Sequence, residues 1–475
     1  MVRFSTGLCL WVIPAALASP FAGISPKRHL SLHSVSDDDS IKHSGGRGPY
    51  LDRDSVGIDR DTPAGCSVDQ VIMIKRHGER YPAKYEAKPI LDALQKVRKA
   101  TITSDSGDLA FVRNWEYYVP DDCYDVETTT GSHAGLLDAY NHGKEYRERY
   151  GGLWDGENVL PLFASDLHRV IDTARHFGEG FFGTEEYLSK AALNIISEST
   201  DRGADSLTPK CRGSKPASEE ICHGWPHDLP QFHPAAERLN AQYPGLDLDW
   251  KDVLWLMAMA AYELNVRDHS EWIKVFTMDE WVNFDYAWGM SFYYCSGPGN
   301  EHSRAVGAVY ANASLAMLND GPAAGSLVFN FAHDDNITPI INALGIVNPA
   351  HDLPVDQISF TDTWPLPQLV PMGGRLTIER LQCDASALGA GGPYVRLVLN
   401  EAVVPFRNCV SGPGYSCPLG NYTEILSSGL PDFAAECAVP PEEPQYLDFW
   451  WKYSGSGAAN DYVSKELQNC HPLGA

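Results

Sequence analysis

The chain predicts an α/β fold, a core sheet flanked by helices with an inserted, mainly helical lobe, and three observations carry that reading. Apolar runs of strand length recur at 71–74 (VIMI), 159–164 (VLPLFA) and 326–331 (SLVFNF), each followed by a polar stretch and then a helical pattern. Further helical segments lie between these units. Near the end of the chain, two segments alternate apolar and polar side chains in the manner of half-buried strands.

In chain order, residues 1–18 read as a secretory leader. Met1 to Arg3 is a short basic start, an apolar run follows to Leu17, and Ala16-Leu17-Ala18 has the small-x-small form of a cleavage site, with the cut after Ala18. The run is too short to span a bilayer, and no other stretch approaches the required length. Lys27-Arg28 marks a second, dibasic trimming site. Residues 19–60 are polar and rich in Ser, Asp and Gly, with no period, and read as a loose arm.

The body divides into an α/β core at 61–100, 151–190 and 321–475 and a mainly helical lobe at 101–150 and 191–320. VIMI is unbroken by polar residues, as expected for a strand buried on both faces. RVIDTARHFGEGFF, after the second run, has apolar residues at helical spacing. TPIINALGI, after the third, places Thr338 as a cap, Pro339 at the first helical position and Gly345 as the stop. The segments at 133–150 and 252–267, with SEWIKVFTMDEWVNF nearby, supply the lobe. GGRLTIERLQC and YVRLVLNEAVVPF complete the sheet or extend its edge. No internal repeat is present, so solenoid and propeller architectures fall away.

Composition narrows the function. The 475 residues are 44% hydrophobic and 11% aromatic, enough for a large core. The 62 Asp and Glu against 37 Lys and Arg give a formal net charge of -25, which argues against nucleic acid as a partner, since backbone binding needs a basic face. Cys9 leaves with the leader, and the other ten cysteines form an even, scattered set with no CxxC pair, which reads as disulfides and as no zinc site. Cys409 and Cys417 bracket a Gly/Pro turn and pair with each other; spacing does not decide the other four bridges. Sequons at Asn312, Asn336 and Asn421 fit an exported glycoprotein.

The chemistry concentrates at residues 76–82, RHGERYP, just past the first apolar run. Ligands of α/β sheets collect at the carboxyl ends of strands, so the polar stretches after the three runs converge. Arg76 and Arg80 offer planar forks of N–H donors that match phosphate oxygens, and Gly78 allows close approach to the backbone. Fixed positive charge beside His77 keeps its imidazole neutral to lower pH, with a lone pair free to attack phosphorus. A bare Arg-His pair would be better read as a solvated surface feature. The five fixed positions of R-H-G-x-R-x-P, however, arise by chance in a chain of this size only on the order of 10⁻⁴ times.

RHGERYP matches the R-H-G-x-R-x-P signature of the histidine acid phosphatases, and His333, Asp334, Asp335 and Asn336 resemble their second signature, His-Asp with Asn two positions beyond the Asp. The likeness runs from about residue 48 onward, through NFAHDDNITPI, GAVYANASL and VRLVLNEAVVPF, and is nearest to the fungal secreted phytase B and low-pH acid phosphatases. The resemblance implies a histidine-phosphatase, phosphoglycerate-mutase-like core and hydrolysis without metal or other cofactor. It makes His77 the nucleophile that becomes phosphohistidine and Asp334 the acid for the leaving alcohol. Arg76, Arg80, Arg169 (in SDLHRVIDTA) and His333 form the phosphate cradle, while Asp335 takes no role.

The substrate implied is a phosphate monoester such as phytate, and the arm and the resemblance together point to a homo-oligomer. Lys84 and Lys88 are candidates to face a second phosphate, against an equally good reading as a solvated helix face. Asp279 or Glu280 resembles an acidic residue near the pocket of low-pH relatives, and Pro89 replaces a second one. Two other functions stay open at this level: phosphoryl transfer of the mutase type, and phosphate-ester binding without turnover. Export and disulfides argue against the first, and the presence of both nucleophile and acid against the second.

Overall fold

The computed structural model describes residues 35–453 apart from 103–106, 121–122, 213–217, 223–228 and 386–389. The leader at 1–18, the dibasic site at Lys27-Arg28 and Cys470 lie outside the described residues. An eight-stranded mixed sheet organises the rest. Its strands are β1 (Cys66–Arg76), β2 (Leu160–Ser165), β3 (Ala191–Ile196), β4 (Leu327–Ala332), β5 (Arg375–Cys383), β6 (Gly392–Leu399), β7 (Ala402–Val404) and β8 (Cys417–Pro418).

The order is β3-β2-β4-β1-β5-β6-β7, with β8 on β6. The first four strands of that order are parallel, and β5 turns the sheet antiparallel. The three apolar runs of the sequence are β1, β2 and β4. The alternating segments near the end are β5, β6 and β7.

β1 is central, and both of its faces are buried. Val71 and Met73 join Leu162, Phe329 and Phe331 under helices α2 (Gly135–Tyr150) and α3 (His168–Phe182). Ile72 and Ile74 face the opposite layer, which continues into the helical lobe. All four are fully buried, which is why the run lacks polar residues.

The lobe is built from α1 (Lys84–Lys99), α4 (His233–Gln242), α5 (Trp250–Glu263) and α6 (Met278–Cys295). Capping boxes at Asp249/Asp252 and Thr277/Glu280 start α5 and α6. α7 (Ser303–Asp320) and α8 (Asp334–Leu344) return the chain to the sheet, and α9 (Leu419–Gly429) follows near the end. Among the described residues, no helix is long and apolar enough to cross a membrane.

Disulfides join Cys66–Cys383, Cys211–Cys437, Cys222–Cys295 and Cys409–Cys417, the last as expected from its turn. Cys123 is disulfide-bonded as well.

Several expectations shift. β3 lies in the sheet, and α2 packs with α3 over it, although both had been assigned to the lobe. α8 begins at Asp334 rather than after Thr338, because His333 and Asn336 form its capping box; Thr338 Oγ1 donates to the Asp334 carbonyl, and Pro339 falls inside the helix. Gly345 ends it in the left-handed conformation, φ 63°, as expected. The arm is not loose over its described part. A short helix spans Asp37–Ile41, and residues 44–49 are buried against the lobe and the sheet.

Candidate active site

Strand register assembles the site. β1 and β4 pair Arg76 with Ala332, so the next residues, His77 and His333, leave the sheet side by side. The His77 amide donates to the Ala332 carbonyl at 3.1 Å, and the two imidazole centroids are 5.7 Å apart. β2 pairs Phe163 with Asn330 and Ala164 with Phe331, which brings Ser165 and, in the first turn of α3, Arg169 to the same sheet end. A cleft of about 1040 Å³ opens there, lined by Arg76, His77, Arg80, Arg169, His333 and Asp334 together.

His77 is 1% exposed. Its Nδ1 lies 2.8 Å from the Gly78 carbonyl oxygen. A carbonyl only accepts, so Nδ1 carries the proton and Nε2 of the neutral ring keeps its lone pair. Burial, reinforced by Arg169, Arg76 and Arg80, holds the ring well below the ordinary histidine value and therefore neutral. Gly78 is fixed in turn: its amide donates to Glu127 Oε1 at 2.6 Å and to Thr173 Oγ1 at 2.9 Å.

The arginines are held from behind. Arg76 Nη1 donates to the carbonyls of Gly46 at 2.9 Å and Val370 at 2.7 Å, while Nη2 meets Asp334 Oδ2 at 2.6 Å. Arg80 Nη1 donates to the Tyr81 carbonyl at 2.9 Å and Glu86 Oε2 at 3.3 Å. Arg169 Nη2 is 3.4 Å from His333 Nδ1. Among the described residues, the buried Nε–H groups of Arg76, Arg80 and Arg169 have no hydrogen-bond partner, a concentration of unmatched donors suited to an oxyanion.

Burial alone would raise the Asp334 carboxyl, yet Arg76, Arg80 and His333 hold it below the usual value. Five cationic side chains line the cleft (Arg47, Arg76, Arg80, Arg169 and Lys210) against four carboxylates, so the positive charge of an acidic molecule gathers here.

The other candidates lie elsewhere. Lys88 is 80% exposed and pairs with Asp92, and neither it nor Lys84 lines the cleft. Glu280 caps α6 and pairs with Arg238; Asp279 is exposed, and neither belongs to the cleft wall. Asp335 does line it, at the exposed start of α8.

Sequence reasoning missed Arg47, whose guanidinium stacks 3.0 Å from the Trp288 ring centroid and pairs with Glu86 at 3.2 Å. It also missed Glu86, buried between Arg47, Arg80 and the Tyr262 hydroxyl. Glu127 and Glu198 were missed as well. Only the arginine in an otherwise small-residue stretch, GGRGPY, offered a signal.

A neutral, buried imidazole ringed by arginines at the carboxyl end of a parallel strand defines an anion-binding site. The chain belongs to the histidine phosphatase superfamily (branch 2), whose family description matches residues 67–400. It is 37% identical over 428 residues to the phytase PHO112 of Candida albicans, covering 88% of this chain and 91% of that one. It is 34% identical to the acid phosphatase PHO1 of Komagataella pastoris, covering 86% and 89%. The crystal structure of the phytase from D. castellii superposes with a TM-score of 0.80 at 32% identity over 90% of this chain and 92% of that one. A multiple inositol polyphosphate phosphatase of Bifidobacterium longum shares the fold at 14% identity, TM-score 0.57, over 81% and 97%.

Proposed function

We propose that this protein is an exported acid phosphomonoesterase that hydrolyses phytate and other phosphate monoesters through a phosphohistidine on His77. The observation that carries the reading is the His77 ring: proton on Nδ1, lone pair on Nε2, three arginines around it. Relatives named phytase and acid phosphatase over most of the chain support the substrate class. Disulfides and the leader sequence support export.

In this mechanism Nε2 attacks phosphorus, the phosphorus–oxygen ester bond breaks, and Asp334 gives its proton to the departing alkoxide. Water then attacks the phosphohistidine with Asp334 as base. Phosphoryl transfer needs positioning and charge stabilisation above all, and Arg76, Arg80, Arg169 and His333 supply donors around the equatorial oxygens. A bound phosphoryl group adds negative charge beside Asp334 and competes for Arg76, which drives the carboxyl toward its protonated form. The donor step therefore favours acid and weakens as pH rises.

The test is inorganic phosphate release from phytate and from an aryl phosphate between pH 2 and 7, with EDTA present, for the wild type and His77→Ala. Metal-independent release that disappears in the variant is the expected result. Full activity in the variant, or binding without release by the wild type, overturns the reading.

A further inference from the structure

We infer that Glu198 is a positioning residue of this site: its carboxylate grips His333 by Nε2 and so aims Nδ1, beside Arg169, at the transferring phosphoryl group. The inference rests on the phosphatase reading. β3 runs parallel to β2 and pairs Ile196 with Ser165, so the residue two beyond its end arrives at the same edge of the cleft as β2 and β4. That residue is Glu198, whose Oε1 lies 2.8 Å from His333 Nε2. Ser165 Oγ sits 3.4 Å from the same nitrogen, and the other ring nitrogen, Nδ1, is 3.4 Å from Arg169 Nη2.

The chemistry of the pair fixes direction. An ionised carboxylate only accepts, so Nε2 carries a proton and is committed to Glu198. The other ring nitrogen, Nδ1, is thereby turned to the side shared with Arg169. Without Glu198 the ring would be free to flip or rotate, and either nitrogen would face the cleft.

Glu198 is itself anchored. Its backbone carbonyl accepts from Lys210 Nζ at 3.1 Å, and although burial opposes ionisation, His333, Ser165 and Lys210 hold its carboxyl below the ordinary value. A free carboxylate on the wall of a phosphate site would repel the substrate; this one is turned onto His333 and lies in the field of Lys210.

The test is a double-mutant cycle in the full-length protein: wild type, Glu198→Gln, His333→Ala and the double variant. Phosphate release from phytate and from p-nitrophenyl phosphate is measured together with inhibition by vanadate as a phosphoryl-shaped probe. Glu198→Gln is expected to lose roughly 10- to 100-fold in kcat/KM, the factor for one charge-assisted hydrogen bond, with vanadate affinity falling in parallel and Tm unchanged. The double variant is expected to be no worse than His333→Ala. A Glu198→Gln loss within about twofold, or losses that multiply in the double variant, overturns the inference.

If Glu198→Gln does not fold, Glu198→Asp enters the same cycle with the same criteria, since its charge remains and its reach shortens. Wild type that releases no phosphate would sink the phosphatase reading instead, and vanadate binding across the same four proteins would still decide whether Glu198 acts through His333.

Discussion

Gly78 has room for hydrogen and little else: a Cβ built there would stand 2.6 Å from the Gly135 carbonyl oxygen and 2.9 Å from Glu127 Oε1. Its carbonyl holds the His77 proton and its amide is held by Glu127 and Thr173, so any shift moves the His77 ring. Misplacement by about 1 Å typically costs 10²-fold, and Gly78→Ala is expected to lose about 100-fold in kcat, read in steady-state assays. Asp334 makes a different prediction. On the proposed mechanism Asp334→Asn removes the proton donor, so release from alkyl phosphates such as phytate is expected to fall by about 10²-fold or more, and release from p-nitrophenyl phosphate, whose leaving group needs no proton, by far less. Equal losses on both substrates would rule out the acid role.

At the scale of elements, α2 and α3 meet backbone to backbone. A Cβ on Gly143 would run into the Phe177 carbonyl, and one on Gly180 into the Tyr140 carbonyl. Helix propensity alone favours alanine by about 1 kcal/mol, but here the obstacle is backbone and cannot swing aside. Gly143→Ala and Gly180→Ala are each expected to destabilise by about 1–3 kcal/mol in urea unfolding. The sequence made β1, β2 and β4 legible because strands buried on both faces are written as apolar runs. β3 begins Ala-Ala-Leu-Asn, reaches its β-branched pair only at Ile195 and Ile196, and has no bordering glycine or proline to mark it, and with it Glu198 escaped notice. Pro339 misled for a related reason. Proline is commonest at a helix start, but inside α8 it removes only one donor, and the cap at His333 and Asn336 had already begun the helix. His77, Arg76 and Arg80 were readable as one contiguous motif, and Arg169 only through the resemblance. Arg47, Glu86 and Glu127 were not, because only the folded chain brings them to it.

Across the whole molecule, buried carboxyls set the response to pH. Burial chiefly raises Glu79 and Asp285 to about 8 and Asp172 to about 7, against ordinary values of 4.5 for Glu and 3.8 for Asp. Between those limits the fold keeps protons that the unfolded chain has released. Their contribution is full below the ordinary values and is lost as pH climbs through 7 to 8. Glu86, Glu379 and Asp334, lowered by arginine neighbours, act in the opposite sense and lose their contribution only as pH falls through their depressed values. Self-repulsion of an acidic chain also grows with pH. Tm is therefore expected to fall from pH 5 to pH 8, and a scanning-calorimetry series in which it rises would contradict this balance.

The surface makes a separate prediction. Asn312 and Asn421 are exposed on α7 and α9, whereas Asn336 accepts the His333 amide at 3.3 Å on the cleft wall. Glycopeptide mass spectrometry of the protein made in a eukaryotic secretory host is expected to find the first two occupied and Asn336 bare.

Arg76 is braced by carbonyls 30 positions before it and 294 positions after it in the chain. A growing polypeptide thus carries His77 and Arg76 early in translation, yet Arg76 is not fully braced until Val370 has emerged and folded back. The order of the chain thus makes the cradle a late product of synthesis.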